Sequence, residues 1–452
     1  MPVLSFTGER QLRFPAPDVA RGFMLALIAL ANVPWWLKYF PDYPTNRSEL
    51  LQVMNAADQW WFIVRSLFVD RRAYPLFSIL FGFGMAIMAM RTMERERRAA
   101  REAVSSEVSA GWAPVQRQIF DEEVERRARR AASRLIRRRG WWMLAFGALH
   151  GVVFAGDIIG AYGLAAVIFA EVVVSARAWL LSLIGALSTA LFVLSMWGIA
   201  IAAGSGSMSL GTLPRGALHP LFLLMSLGQW IIVTPMTLLT SLVVPSIMIG
   251  VGVARLGLLQ DPPGHRAILG AIAAGGLTVG AAGGIPFALG QLGWAFADSL
   301  AWANPLYHLS GLVGACGWLA LLALIGGGPR ESLGTVCTFL SAIGRRSMTA
   351  YLSQTLVFIL VFGGLGVLGV RFVGSAVGAL IALGVWVVIG IGCILAEVRG
   401  SSRGPAERAL RSLVARSARP LPMLPVAAAQ DEAGVSSSGA SSGGADGTDP
   451  AQ

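Results

Sequence analysis

The chain has 452 residues, of which 55% are hydrophobic and only 13% charged, about half the roughly 25% that soluble domains spend on Asp, Glu, Lys and Arg. Water is excluded as the main solvent, and apolar runs of membrane-spanning length recur along most of the sequence, so one embedded helical bundle is a simpler reading than two or three soluble domains. The formal charge of +11 sits in short arginine blocks between the apolar runs, where it sets topology and meets anionic lipid headgroups rather than nucleic acid.

The fold class expected is therefore all-α: a polytopic integral membrane bundle of about ten transmembrane helices. Residues 1–17 form a polar cytoplasmic segment, and helix one runs from Asp18 through Leu37. Ala29-Leu30-Ala31 imitates a signal-peptidase site, which leaves cleavage open as an alternative. Residues 38–72, with Pro41, Pro44, Asp58 and the pair Trp60 and Trp61, suit an external loop with interfacial tryptophans. Helix two spans about Tyr74 to Met90 and carries the small packing residues Gly82 and Gly84. The mixed-charge stretch 91–139 reads as a cytoplasmic helical hairpin.

Helix three covers about Gly140 to Ala155 and helix four about Ile158 to Val174, joined by a tight turn at Gly156 and Asp157 that parity makes external. Helix five spans Ala178 to Ala203 and ends in the Gly/Ser-rich connector GSGSMSLGTLPRG. The region from His219 to Leu259, broken by Pro220, Pro235 and Pro245, requires an odd number of crossings; one near Thr237 to Val253, preceded by an interfacial or re-entrant segment, satisfies parity. Helices seven to ten follow at about Ala267–Leu289, Leu306–Ile325, Met348–Leu368 and Val373–Ala396. The bundle thus fills 18–398, a basic cytoplasmic flank follows at 399–419, and the polar tail 420–452 is expected to be disordered. Both termini fall on the cytoplasmic side of a cell membrane.

Polar side chains inside apolar helices are the natural functional candidates, because burying them in lipid is costly. Asp18 and Arg21 share a face of helix one, and Asn32 lies eleven residues beyond Arg21 on a similar face. His150 lies eleven residues beyond Arg139 and so at nearly the depth of Asn32. An imidazole near an amide is an ingredient of acid/base chemistry, although a histidine that merely bonds a carbonyl between helices is also common. Asp157 is suited to capping helix four or to facing a cavity mouth. At the start of helix nine, Arg345 is placed to meet phosphates or to anchor topology, and Tyr351 and Gln354 share a face. Cys316, Cys337 and Cys393 lack metal-site spacing and read as apolar fillers, and the four histidines are too dispersed for a metal site to be read from spacing.

Three segments in this order resemble the domain of unknown function 418, or YeiB-like, family of membrane proteins across nearly the whole chain apart from the tail: PDVARGFMLALIALANV, LHGVVFAGDIIGAYGL, and AIGRRSMTAYLSQTLVFILVF followed by RGPAERALRSL. That family is regarded as distantly similar to the transmembrane acyltransferases. The resemblance implies their fold, no bound cofactor, an acyl-CoA donor used from the cytoplasm, and a small-molecule, glycan or lipid-linked acceptor at the outer face. In that reading His150 is the base and Asn32 stabilises an oxyanion, while Asp18, Arg21, Asp157, Arg345, Tyr351 and Gln354 line the substrate path. The histidine that acyltransferase relatives carry in the first helix or after it is absent here. A transporter or flippase, and a non-catalytic membrane scaffold, are the alternatives the sequence leaves open.

Overall fold

The computed structural model describes residues 15–104, 110–154, 156–204, 220–328 and 333–419. Most of the N-terminal segment, nearly all of the Gly/Ser-rich connector with His219, and the tail from 420 lie outside the described residues. Every regular element among the described residues is helical. In chain order they are α1 (Ala16–Leu37), α2 (Arg47–Val53), α3 (Ala56–Phe68), α4 (Ala73–Glu102), α5 (Pro114–Gly151), α6 (Ile159–Ser175), α7 (Ala178–Gly204) and α8 (Pro220–Leu239). They continue as α9 (Val243–Arg255), α10 (Arg266–Leu292), α11 (Leu300–Gly326), α12 (Thr335–Gly344), α13 (Ser347–Val367), α14 (Ser375–Val398) and α15 (Pro405–Arg416).

Seven spans are long and apolar enough to cross a bilayer, and α8 with α9 adds an eighth as a pair bent by 57°. The chain is a multi-pass helical membrane protein. Two further expected crossings do not meet both criteria: α6 has 17 residues, about 25 Å at 1.5 Å per residue against a hydrocarbon core of about 30 Å, and α5, though 38 residues long, is apolar only in its last part. The expectation of about ten counts these two; length and apolarity alone give seven or eight.

Residues 38–72 are not simply loop, because α2 and α3 form there, and α3 opens with a capping box between Asn55 and Asp58. The apolar α12 was not anticipated either. Its ten residues are too few to show as a span.

Contacts sort the helix ends into two groups. At one end, Glu407 of α15 accepts the backbone N–H of Met348 at 2.7 Å and of Thr349 at 3.2 Å, which caps α13 and complements its dipole. Arg255 at the end of α9 donates to the carbonyls of Ala176 and Val173 at the end of α6. The 91–139 hairpin projects from this same end, zipped by Arg97 to Glu125 at 2.7 Å and Arg127 to Glu96 at 3.2 Å over a small core of Ala100, Phe120 and Val124. At the opposite end Asp58 accepts the N–H of Ala376 at 2.8 Å, capping α14, and Asp42 forms a two-point ion pair with Arg371. Alternation of the long helices between these ends follows the parity read from the arginine blocks.

Buried polar groups tie the layers together. Arg72, only 1% exposed, donates to the carbonyls of Ser66 at 2.6 Å, Asp70 at 2.7 Å and Gly280, and its guanidinium lies 5.2 Å from the ring centre of Tyr307. It thereby satisfies the C-terminal carbonyls of α3 while joining α4 to α10 and α11. The helix α1 crosses α12 so closely that a Cβ at Gly22 would overlap the carbonyl of Leu340, and one at Gly344 would overlap the carbonyl of Asp18. Gly82 plays the expected role in the same way, against Ile247 of α9.

Gly22→Val is therefore expected to destabilise the bundle by about 1–3 kcal/mol or more, read as a lower midpoint in thermal size-exclusion of the detergent-solubilised protein; an unchanged midpoint would contradict the close crossing. In the hairpin, burial pushes the Glu125 carboxyl up, but hydrogen bonds from Arg97 and Arg129 outweigh it and hold the group below its ordinary value. A depressed folded-state pKa stabilises above the unfolded value of about 4.3 and is lost as pH falls through the folded value. Hydrogen exchange across residues 94–130 is accordingly expected to speed up as pH drops from 5 to 3, after correction for intrinsic rates, and Glu125→Gln is expected to remove much of that increment.

Candidate functional site

The last turn of α5 carries His150, and the turn into α6 carries Asp157. Both are buried, at 5% and 9% exposure. The Asp157 carboxylate accepts the backbone N–H of Ile159 at 3.1 Å and of Gly160 at 2.7 Å, capping α6 as a turn aspartate does. It also accepts the indole N–H of Trp230 in α8 at 3.2 Å, and its Oδ1 lies 2.8 Å from His150 Nδ1. An acceptor surrounded by three N–H donors fixes the fourth contact, so Nδ1 carries a proton and donates to Asp157.

That assignment determines the other ring nitrogen. Nε2 lies 2.9 Å from the hydroxyl of Thr355 in α13, and in the neutral ring it has a lone pair and no proton. The hydroxyl of Thr355 therefore donates to Nε2. Carboxylate, imidazole and hydroxyl form a continuous chain, Asp157 to His150 to Thr355, assembled from α5, α6 and α13. Such an order is the one that makes a hydroxyl nucleophilic or prepares an imidazole to take a proton.

Aromatic rings enclose this chain. The Tyr351 ring lies 5.2 Å from the imidazole, and Phe154 lies 5.7 Å from it. Trp36 of α1 stacks on Phe154 at 5.6 Å, with 10° between the planes, and also approaches Phe358 of α13 at 6.0 Å. Close approach of Trp230 depends on Gly151 and Gly160, where any Cβ would overlap the indole. Asp157 is buried in this turn, while Gly156 beside it is exposed. Trp230 of α8 reaches across the turn to Asp157.

The structure places the other expected site residues as follows. Asn32 is half-buried on the α1 stripe that runs through Leu25, Ala29 and Trp36. Gln354 donates to the Leu25 carbonyl at 3.0 Å, and Phe358 meets Trp36, so Asn32 lies on the stretch of α1 between two contacts with α13. Its amide makes no hydrogen bond with another described residue. Gln354 Oε1 is buried without a partner. Asp18 and Arg21 form the anticipated ion pair at 3.3 Å, at the arginine-rich end and away from His150. Arg345 and Arg346 both reach Glu397, so their charge is already engaged. His265 and His308 lie elsewhere. Among the described residues no group of three or more His, Cys, Asp or Glu side chains is placed to hold a metal ion.

Thr355 and Trp230 were missed by sequence reasoning. Thr355 lies one turn beyond Tyr351, a weak signal that the polar face of α13 continues, while Trp230 sits in the stretch whose breaks the prolines obscured. Asp157→Ala removes the acceptor of four donors at once and is expected to cost about 3–5 kcal/mol. The accompanying sign is a change in tryptophan emission that Trp230→Phe abolishes; an Asp157→Ala variant as stable as the parent would refute the four-donor arrangement.

Residues 253–417 match the model of a family described as protein of unknown function, DUF418. Of the three recognised segments the third falls inside the match, together with Thr355; those that carry Asn32, His150 and Asp157 lie before it. No curated protein and no solved structure matches the chain.

Proposed function

We propose that this multi-pass membrane protein of the DUF418 family transfers an acyl group from a thioester donor to an acceptor hydroxyl or amine, with His150 as the general base. The observation that carries this reading is the hydrogen-bonded order of Asp157, His150 and Thr355. Asp157 holds the ring in the tautomer whose Nε2 lone pair points away from it, and stabilises the imidazolium formed when Nε2 takes a proton. Asn32, with an unbonded amide on the stretch of α1 between its two contacts with α13, is suited to donating to the oxyanion of a tetrahedral intermediate.

The donor is taken to be an acyl-CoA entering from the arginine-rich end, past Asp18 and Arg21, which lie eleven residues or more before Asn32 on α1, about 16 Å lower. Arg345, already paired with Glu397, reads better as a brace between α13 and α14 than as a phosphate ligand. Tyr351 and Phe154 wall the imidazole and exclude water, which strengthens its interactions.

Purified protein is expected to release free CoA from at least one of acetyl-, succinyl- and palmitoyl-CoA. His150→Ala should lower that rate by about 10²–10⁴-fold and Asn32→Ala by about 10²–10³-fold. Full activity of a folded His150→Ala protein would remove His150 from the mechanism. A second reading, transport, is favoured by one observation: the bent pair α8 and α9 contributes Trp230 to the Asp157 cluster, so straightening the 57° bend would open it. It requires substrate uptake into vesicles with no thioester cleavage.

A further inference from the structure

We infer that the hydroxyl of Thr355 is the first acyl acceptor, so that transfer passes through an ester on this side chain; this rests on the acyl-transfer reading above. What sets Thr355 apart from the other hydroxyls of these helices is its imidazole partner. Serine and threonine within membrane helices ordinarily return their hydroxyl proton to the carbonyl one turn back. Thr92, Ser188, Thr189, Thr237, Thr240 and Ser246 all do so here, donating to the carbonyls of Met88, Ile184, Gly185, Val233, Met236 and Leu242. Thr355 is different: its hydroxyl is 2.9 Å from His150 Nε2, across 205 positions of sequence, with Asp157 behind the ring. A hydroxyl whose proton is held on an oriented imidazole keeps its oxygen lone pairs for attack.

The enclosure of the site supports the same conclusion. His150 is 5% and Thr355 4% exposed. Direct transfer would require donor and acceptor to meet there together, whereas an ester on Thr355 lets them come in turn. In the first half-reaction Thr355 Oγ attacks the thioester carbonyl carbon as Nε2 takes the Oγ proton. The C–S bond then breaks, and the departing thiolate recovers that proton from Nε2 as free thiol. In the second, the acceptor hydroxyl or amine gives its proton to Nε2 and attacks the ester carbonyl; the bond to Oγ breaks, and the proton returns to Thr355. The sum is one thioester consumed, one thiol released and one acyl group delivered. No oxidant or metal is needed.

The test uses the full-length protein in lipid nanodiscs with ¹⁴C-labelled acetyl-, succinyl- and palmitoyl-CoA and no acceptor. The expected result is a burst of free thiol equivalent to one per protein, with label that survives denaturation, is released by alkali, and maps by mass spectrometry to the peptide containing Thr355. Thr355→Ser should retain burst and label, and Thr355→Val should lose both, as should His150→Ala. Peptide mapping of the unaltered protein decides the question even if a variant fails to fold. Thioester turnover without label at Thr355, or an undiminished burst in Thr355→Val, overturns the ester intermediate while leaving acyl transfer standing. Absence of thiol release by the unaltered protein with all three donors removes the acyl-transfer reading, and the ester with it.

Discussion

The interior of this bundle depends on one carboxylate. Asp157 sits buried in the turn between α5 and α6, where water cannot satisfy it, and a carboxylate there is sustained only if its acceptor positions are used. Two backbone N–H groups of α6, the indole of Trp230 and the imidazole of His150 use them. The surrounding sequence follows from this requirement. Gly151 and Gly160 are small because the indole of Trp230 occupies the space a side chain would take, and α8 must lie across the hairpin tip for that indole to arrive. The orientation of His150, and hence the partner of Thr355, is a consequence of the same carboxylate.

Length and charge made most of the bundle legible in the sequence. The long apolar runs emerged as helices close to their expected limits, because a bilayer leaves a chain little alternative to helix, and the arginine blocks fell together at one end. The elements that escaped are those whose existence depends on other elements. The helix α12 is too short to announce itself and is held by its contact with α1 at Gly22. Trp230 and Thr355 are ordinary residues of apolar helices until α8 and α13 bring them to the hairpin turn. Asn32 and His150 were recognisable as polar residues at similar depth, but spacing within a helix says nothing of which hydroxyl on another helix will complete the set.

The arginines also have a structural account that composition conceals. An excess of positive charge suggested lipid headgroups and topology, and Arg345 a phosphate. Several arginines instead spend their donors on helix C-termini: Arg72 on α3, Arg255 on α6, and Arg47 on the carbonyls of Gly290 and Gln291 at the end of α10. A C-terminus at or within the membrane surface leaves carbonyls that a flexible, always charged donor can satisfy and whose dipole it offsets. Arg345 and Arg346 share Glu397 in a similar bracing role. Part of the charge is thus internal scaffolding.

Depth and rigidity together weigh on the choice between chemistry and transport. Asn32 and His150 each lie eleven residues from an arginine at the basic end, about 16 Å along their helices and so near the middle of a hydrocarbon core of about 30 Å. Chemistry and transport could each use a site at that depth. A transporter needs that site to change shape between its two open states. A catalyst needs it fixed, since its advantage comes from groups oriented before the reaction begins. Asp157 is saturated by donors from three helices, the ring it orients lies against Phe154 and Tyr351, with Trp36 stacked on Phe154, and the glycines beneath Trp230 leave no space for sliding. Opening such a cluster would forfeit several buried hydrogen bonds at once, whereas moving a proton between Thr355 and His150 disturbs none of them, and this asymmetry favours catalysis.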